Sequence, residues 1–123
     1  MGPQSNALAP GELLRSIELP HAALTRQAAF RRASLTPLGR SAALLIGTRS
    51  LEGAFVLTVT ASTRRPVQLR FPAIPSPETL TERIATEIPA AQYYDDVHGH
   101  PDWRRHMTLE FAEEIRQELT EGR

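Results

Sequence analysis

The sequence predicts an α+β fold: an antiparallel sheet of three to four strands with two C-terminal helices packed on it. Three observations predict it. Short runs of alternating or continuous apolar character fill the first part of the chain, and the links between them are too short for helical crossovers. Two stretches with apolar residues four apart come afterwards, each opened by a proline. Strands and helices are therefore segregated along the chain rather than interleaved.

Taken in order, residues 1–11 read as a flexible start or linker, the opening of one domain that spans 1–123. Residues 12–20 read as a strand: Leu13, Arg15, Ile17 and Leu19 alternate with Leu14, Ser16 and Glu18, and Pro20 closes the run. Residues 21–40 show no sustained period and read as a connector, broken at Pro37 and Gly39. Antiparallel strands are expected over 41–71. "SAALLIGTR" is largely apolar, as a strand covered on both faces would be. "AFVLTVTAS" places Phe55, Leu57 and Val59 on one side, and "VQLRF" places Val67, Leu69 and Phe71 on one side. Gly53 and Pro66 mark the turns.

A helix is expected over 76–88, with Ser76 as N-cap, Pro77 at the first position and the stripe Leu80, Ile84, Ile88. A second is expected over 101–121, opened by His100-Pro101. Its stripe is Trp103, Met107, Phe111, Ile115 and Leu119, and Gly122 ends it.

Composition narrows the chemistry. The 123 residues include no cysteine, so disulfides, thiolate metal sites and iron–sulfur ligation by this chain are excluded. All 14 basic residues are arginine, so mechanisms that need a lysine, P-loop or Schiff base, are excluded too. No apolar run approaches the roughly 18 residues of a membrane span. The start of the chain lacks the basic and apolar regions of a signal peptide, and the expected location is the cytoplasm. Charge is uneven: residues 1–77 hold nine arginines against three glutamates, and residues 78–123 hold five arginines against eleven acids. That asymmetry fits a basic surface for an anionic partner, or two halves that lie against each other. Zero net charge and few aromatics argue against nucleic acid.

Asp95, Asp96, His98, His100 and His106 crowd into a dozen residues, and their side chains are proper ligands for zinc or iron(II). Their spacing follows no established metal motif, so no metal ligand is assigned. A self-sufficient metal enzyme centred on the three histidines remains one reading. No nucleophile elbow or glycine-rich phosphate loop is present, so no catalytic residue is assigned either.

Two segments carry a resemblance. "LAPGELLRSIELP", Leu8 to Pro20, and "DVHGHPDWRRHM", Asp96 to Met107, resemble the start and end of the C-terminal domain of the FAD-binding subunit of molybdenum hydroxylases. This is the xanthine dehydrogenase and carbon monoxide dehydrogenase family. His100 stands where the family has Ser, Pro101-Asp102 where it has a small residue and Glu, and Trp103 where it has Tyr or Phe. Gly39 falls where the family commonly has Asp. The resemblance spans residues 7 to 119 and implies an α+β domain that is structural rather than catalytic. FAD would be held mainly by loops of preceding domains, with none bound to this chain alone. Partners would be the FAD-binding domain or subunit and the molybdenum and iron–sulfur subunits. Arg31, matching the family's usual Lys, is the one residue implied to approach the flavin. Trp103, Arg104 and Arg105 are implied at a subunit interface. The alternative is a stand-alone binding module for a protein or anionic partner, suggested by the arginine-rich first half.

Overall fold

A computed structural model describes residues 6–122. The order of elements is α1 (His21–Leu24), β1 (Gln27–Ser34), β2 (Ser41–Arg49), β3 (Phe55–Thr60), β4 (Val67–Phe71), α2 (Pro77–Glu87), a 3-10 turn (Ala90–Gln92) and α3 (Pro101–Glu121). The four strands form one antiparallel sheet in the order β1-β2-β3-β4. The α+β class is as the sequence predicts.

Each hairpin follows from local chemistry. Between β2 and β3 the Ser50 amide bonds the Ala54 carbonyl at 2.9 Å, and Gly53 takes a φ of +95° that side chains resist. β3 alternates between buried and half-buried along its whole length. Its inward residues Phe55, Leu57 and Val59 meet Leu45 of β2 and Leu69 and Phe71 of β4 beneath the helices. α2 adds Leu80, Ile84 and the C-cap Ile88, and α3 adds Ala112, Ile115 and Leu119. The helix α3 crosses β2 so closely that a Cβ on Gly47 would stand 2.1 Å from Ile115 Cγ2. The caps are as read: the Ser76 hydroxyl accepts from the Thr79 amide, and the His100 ring accepts from the Asp102 amide.

Three expectations need correction. The first strand is misplaced. Residues 12–20 carry no strand and are exposed throughout, with Leu13 78%, Ile17 73% and Leu19 66% accessible. The strand lies instead inside the expected connector, at Gln27–Ser34. Its inward positions are Ala29, Arg31 and Ala33, too small or too polar to register as an apolar face, because α3 packs close above them. Arg26 pins the entry to this strand, donating to Thr48 Oγ1 and the Ala54 carbonyl at 2.9 Å each. Residues 1–5 of the expected linker lie outside the described residues.

The α3 stripe is also shifted. The inward residues are Arg104, Thr108, Ala112, Ile115 and Leu119; Trp103, Met107 and Phe111 are only half-buried. Over its first two turns α3 faces strand ends with unspent carbonyls, so polar side chains turn inward there.

The third correction concerns Arg104. Expected at a subunit interface, it is 1% exposed and enclosed by its own chain.

Candidate functional site

Asp96, Trp103 and Arg104, three of the residues singled out in the sequence, meet at one end of the sheet, where the 96–99 turn, the first turns of α3 and the ends of β2 and β3 come together. The turn is closed by the Gly99 amide on the Asp96 carbonyl at 3.1 Å and by the His98 amide on Asp96 Oδ1 at 2.8 Å. Gly99 is required by a close approach: a Cβ there would stand 2.8 Å from the Trp103 ring. Trp103 therefore packs on the turn rather than in the core.

Arg104 fills the centre. Its Nε donates to the Gly99 carbonyl at 3.0 Å, and Nη2 meets Asp96 Oδ1 at 2.5 Å. Its Nη1 donates to the Ala61 carbonyl at 3.1 Å and makes a short contact with the Ala42 carbonyl. One guanidinium thus joins the start of β2, the exit of β3 and the 96–99 turn. The planar fork suits this, because its donors leave in fixed directions toward several acceptors at once. Burial pushes the Asp96 carboxyl up, but the His98 amide and the Arg104 charge together outweigh it and hold the group below its ordinary value.

One acceptor is itself unusual. Ala61 adopts a φ of +63°, within a tight turn closed by the Ser62 amide on the Thr60 carbonyl at 2.8 Å. Arg104 holds the carbonyl of this left-handed residue. Next to it lies a buried polar cluster that sequence reading missed. Ser62 and Thr108 are fully enclosed, with their hydroxyls 3.1 Å apart, and Thr108 Oγ1 also bonds the Arg104 carbonyl at 2.8 Å. Tyr93 is 3% exposed, and its hydroxyl has no hydrogen-bond partner among the described residues. Burial raises the Tyr93 phenol above its ordinary value, opposed by the nearby Thr108 hydroxyl and the Arg105 charge. The backbone of 92–94 is clipped to 62–64 by the Tyr94 amide on the Ser62 carbonyl and the Arg64 amide on the Gln92 carbonyl, 3.0 Å each. The one available signal for the cluster was Thr108, a helical turn after Arg104.

The remaining residues are dispersed. His100 serves as a cap, while Asp102, Arg105, His106 and Leu109 line a shallow, open surface hollow of about 350 Å³. Asp96 is turned toward Arg104. Among the described residues, no group of three or more His, Asp or Glu side chains is placed to share a metal ion.

Arg31 sits apart, on β1 against α3. Its Nε meets Glu114 Oε2 at 2.6 Å, its Nη2 meets Glu118 Oε2 at 2.7 Å, and its Nη1 donates to the Phe30 carbonyl at 3.0 Å. Hydrogen bonds to the two carboxylates raise its pKa further.

Among the described residues the glycines do not build a pyrophosphate loop of the kind that holds FAD. The space beside Gly47 is filled by Ile115, and that beside Gly99 by Trp103; Gly11, Gly53 and Gly122 stand isolated in separate turns. A pyrophosphate needs several amides converging on one point. The arrangement holds shape, locking the α3 start to the sheet through one buried cation. No protein-family model, no curated protein and no solved structure matches the chain.

Proposed function

We propose that the chain is an accessory, non-catalytic domain of a FAD-dependent oxidoreductase subunit of the xanthine dehydrogenase and carbon monoxide dehydrogenase type. The observation that supports this reading is the Arg104 lock. The segment that carries the resemblance is built to hold a rigid surface, with its arginine and aspartate spent on backbone and on each other. On this reading FAD is bound by loops of a separate FAD-binding domain, and electrons reach it from molybdenum and iron–sulfur subunits in the cytoplasm. Arg31, fixed by Glu114 and Glu118, is the residue of this chain nearest the flavin. Trp103 and Arg105, on the outer side of the lock, form part of the subunit contact, and Arg104 supports them from beneath.

Two observations test it. The adjacent reading frames should encode a FAD-binding domain together with molybdenum and iron–sulfur subunits. Co-expression with that FAD-binding domain should yield a complex with flavin absorbance, while the chain purified alone should be colourless. Neighbouring frames without any such subunits, or a co-expressed FAD-binding domain that does not associate, would sink the reading.

A further inference from the structure

The helices cover one face of the sheet, the side of Ala29, Leu45, Leu57 and Leu69. Strand alternation turns the residues between these to the opposite face, where Phe30 is 64% and Ile46 39% exposed. The pairing register lays that face out in rows. Phe30, Ile46, Thr58 and Gln68 stand side by side across the four strands. Arg32 and Leu44 belong to the row on one side of these, and Thr48, Val56 and Arg70 to the row on the other.

Charge on this face has one sign. None of the four strands contains an aspartate or glutamate. Between residues 27 and 71 the one acid is Glu52, in the turn after β2, where the charge of Arg26 acts on it. The ion pairs lie elsewhere: Arg31, Arg83, Arg104 and Arg116 each meet a carboxylate. Arg32 and Arg70 are exposed and are held by neutral oxygens instead. Arg32 donates to Ser41 Oγ at 2.7 Å and to the Gly39 carbonyl, and Arg70 donates to Gln68 Oε1 at 2.6 Å. Hydrogen bonds of this kind orient a guanidinium without neutralising it.

The two arginines stand at opposite corners of the face. Three strand spacings across and four residues along put them about 20 Å apart at their backbones. Phe30, Leu44, Ile46 and Val56 form an apolar band along that diagonal.

We propose that this face docks an acidic amphipathic helix of a partner protein. The helix lies along the diagonal, with its apolar ridge on Phe30, Ile46 and Val56 and a carboxylate near each end on Arg32 and Arg70. A helix is about 10 Å wide, so it covers the band and leaves Gln68 and Thr48 at its margins, whereas a second sheet would bury them. The span between the arginines corresponds to about 13 residues of helix. An apolar centre rimmed by charge is the pattern of a protein contact. A nucleic-acid strand calls for a basic groove with several stacking rings, and this face offers one ring and two separated arginines. The inference stands whether or not the oxidoreductase reading holds.

Fluorescence anisotropy on the full chain tests it. The probe is a labelled synthetic amphipathic helix with a leucine stripe and glutamates about 13 residues apart. Saturable binding is expected, weakened by salt, and a probe with lysines in place of the glutamates should bind about tenfold more weakly or worse. The double variant Arg32→Glu, Arg70→Glu should reverse that preference. Phe30→Asp should weaken both probes, and because Phe30 is exposed the circular dichroism of the variant should match the parent. A glutamate probe that does not bind overturns the proposal. So does equal binding of the two probes, or binding indifferent to Phe30→Asp. Tighter binding of a labelled oligothymidylate than of the glutamate probe overturns it as well, since the face would then serve a nucleic acid.

Discussion

Two stretches of this chain bear the same kind of sequence signature and are treated in opposite ways by the fold. The stretch from Asp96 to Thr108 is tied into the sheet by a buried guanidinium, two enclosed hydroxyls and a packed indole. The stretch from Leu8 to Pro20 has four of its large apolar side chains more than half exposed. Both look equally structured as sequence. The difference lies in acceptors: the first meets carbonyls that need donors, and the second stays largely exposed. Stability should therefore be concentrated in one stretch and nearly absent from the other.

The largest effect is expected at the centre of the lock. Arg104→Met keeps the volume and removes every donor, taking the guanidinium from the Ala42, Ala61 and Gly99 carbonyls and from Asp96, which keeps the His98 amide. Breaking a buried pair by removing one partner costs about 3–5 kcal/mol, and urea unfolding followed by circular dichroism should read a loss of that size. Arg104→Lys should recover less than half, because an ammonium cannot reach acceptors that far apart. If Arg104→Met unfolded at the same urea concentration as the parent, the lock would be no more than a surface ion pair.

The other half of the pair should matter less. Asp96 is about a third exposed, and water replaces part of what it supplies. Asp96→Asn should cost about 1.5 kcal/mol, the low end for a hydrogen bond to a charged group. The pH dependence has a definite sign. The folded carboxyl lies below its unfolded value, so its contribution is complete above about pH 4 and is lost as pH falls through the folded value. Denaturation curves of the parent should weaken in acid over that window, and those of Asp96→Asn should weaken less.

These effects mark where the sequence was legible. β2, β3 and β4 declare themselves because their inward residues are large and their turns carry glycine or proline. Ser76-Pro77 and His100-Pro101 declare helix starts because capping is a local bargain among neighbouring residues. β1 was hidden because Ala29 and Ala33 are small where α3 comes close. Arg104 was misplaced because its acceptors are remote: Ala61 is 43 positions away and Ala42 is 62. Nothing near residue 104 announces them, and an arginine beside an arginine reads by default as surface. The arm was misread for the reverse reason. Alternation says how a strand would be covered, not whether the same chain supplies the cover.

Between the two extremes stands Arg31, which ties β1 to α3 through Glu114 and Glu118. Its side chain is 31% exposed and its partners are 50% and 32% exposed, so screening removes most of the attraction. Arg31→Ala should cost under about 1 kcal/mol despite two short contacts. The loss should shrink further in high salt, whereas that of Arg104→Met should not. A large, salt-independent loss at Arg31 would move β1 into the locked half of the molecule.

The smallest effect is expected in the arm, and it is the sharpest test of the contrast. Ile17 looks from sequence like the middle of a half-buried strand, where Ile→Ser would remove a large apolar contact. Here it is 73% exposed. Measured in dilute solution, Ile17→Ser should shift unfolding by no more than about 0.5 kcal/mol, the range of ordinary surface substitutions. Limited trypsin digestion gives the same contrast within a single sample. Cleavage should come first after Arg15, which is exposed and outside any helix or strand, and last after Arg104, which must wait for global unfolding. Early cleavage at Arg104, or an Ile17→Ser loss as large as that of Asp96→Asn, would show that the two stretches are held alike.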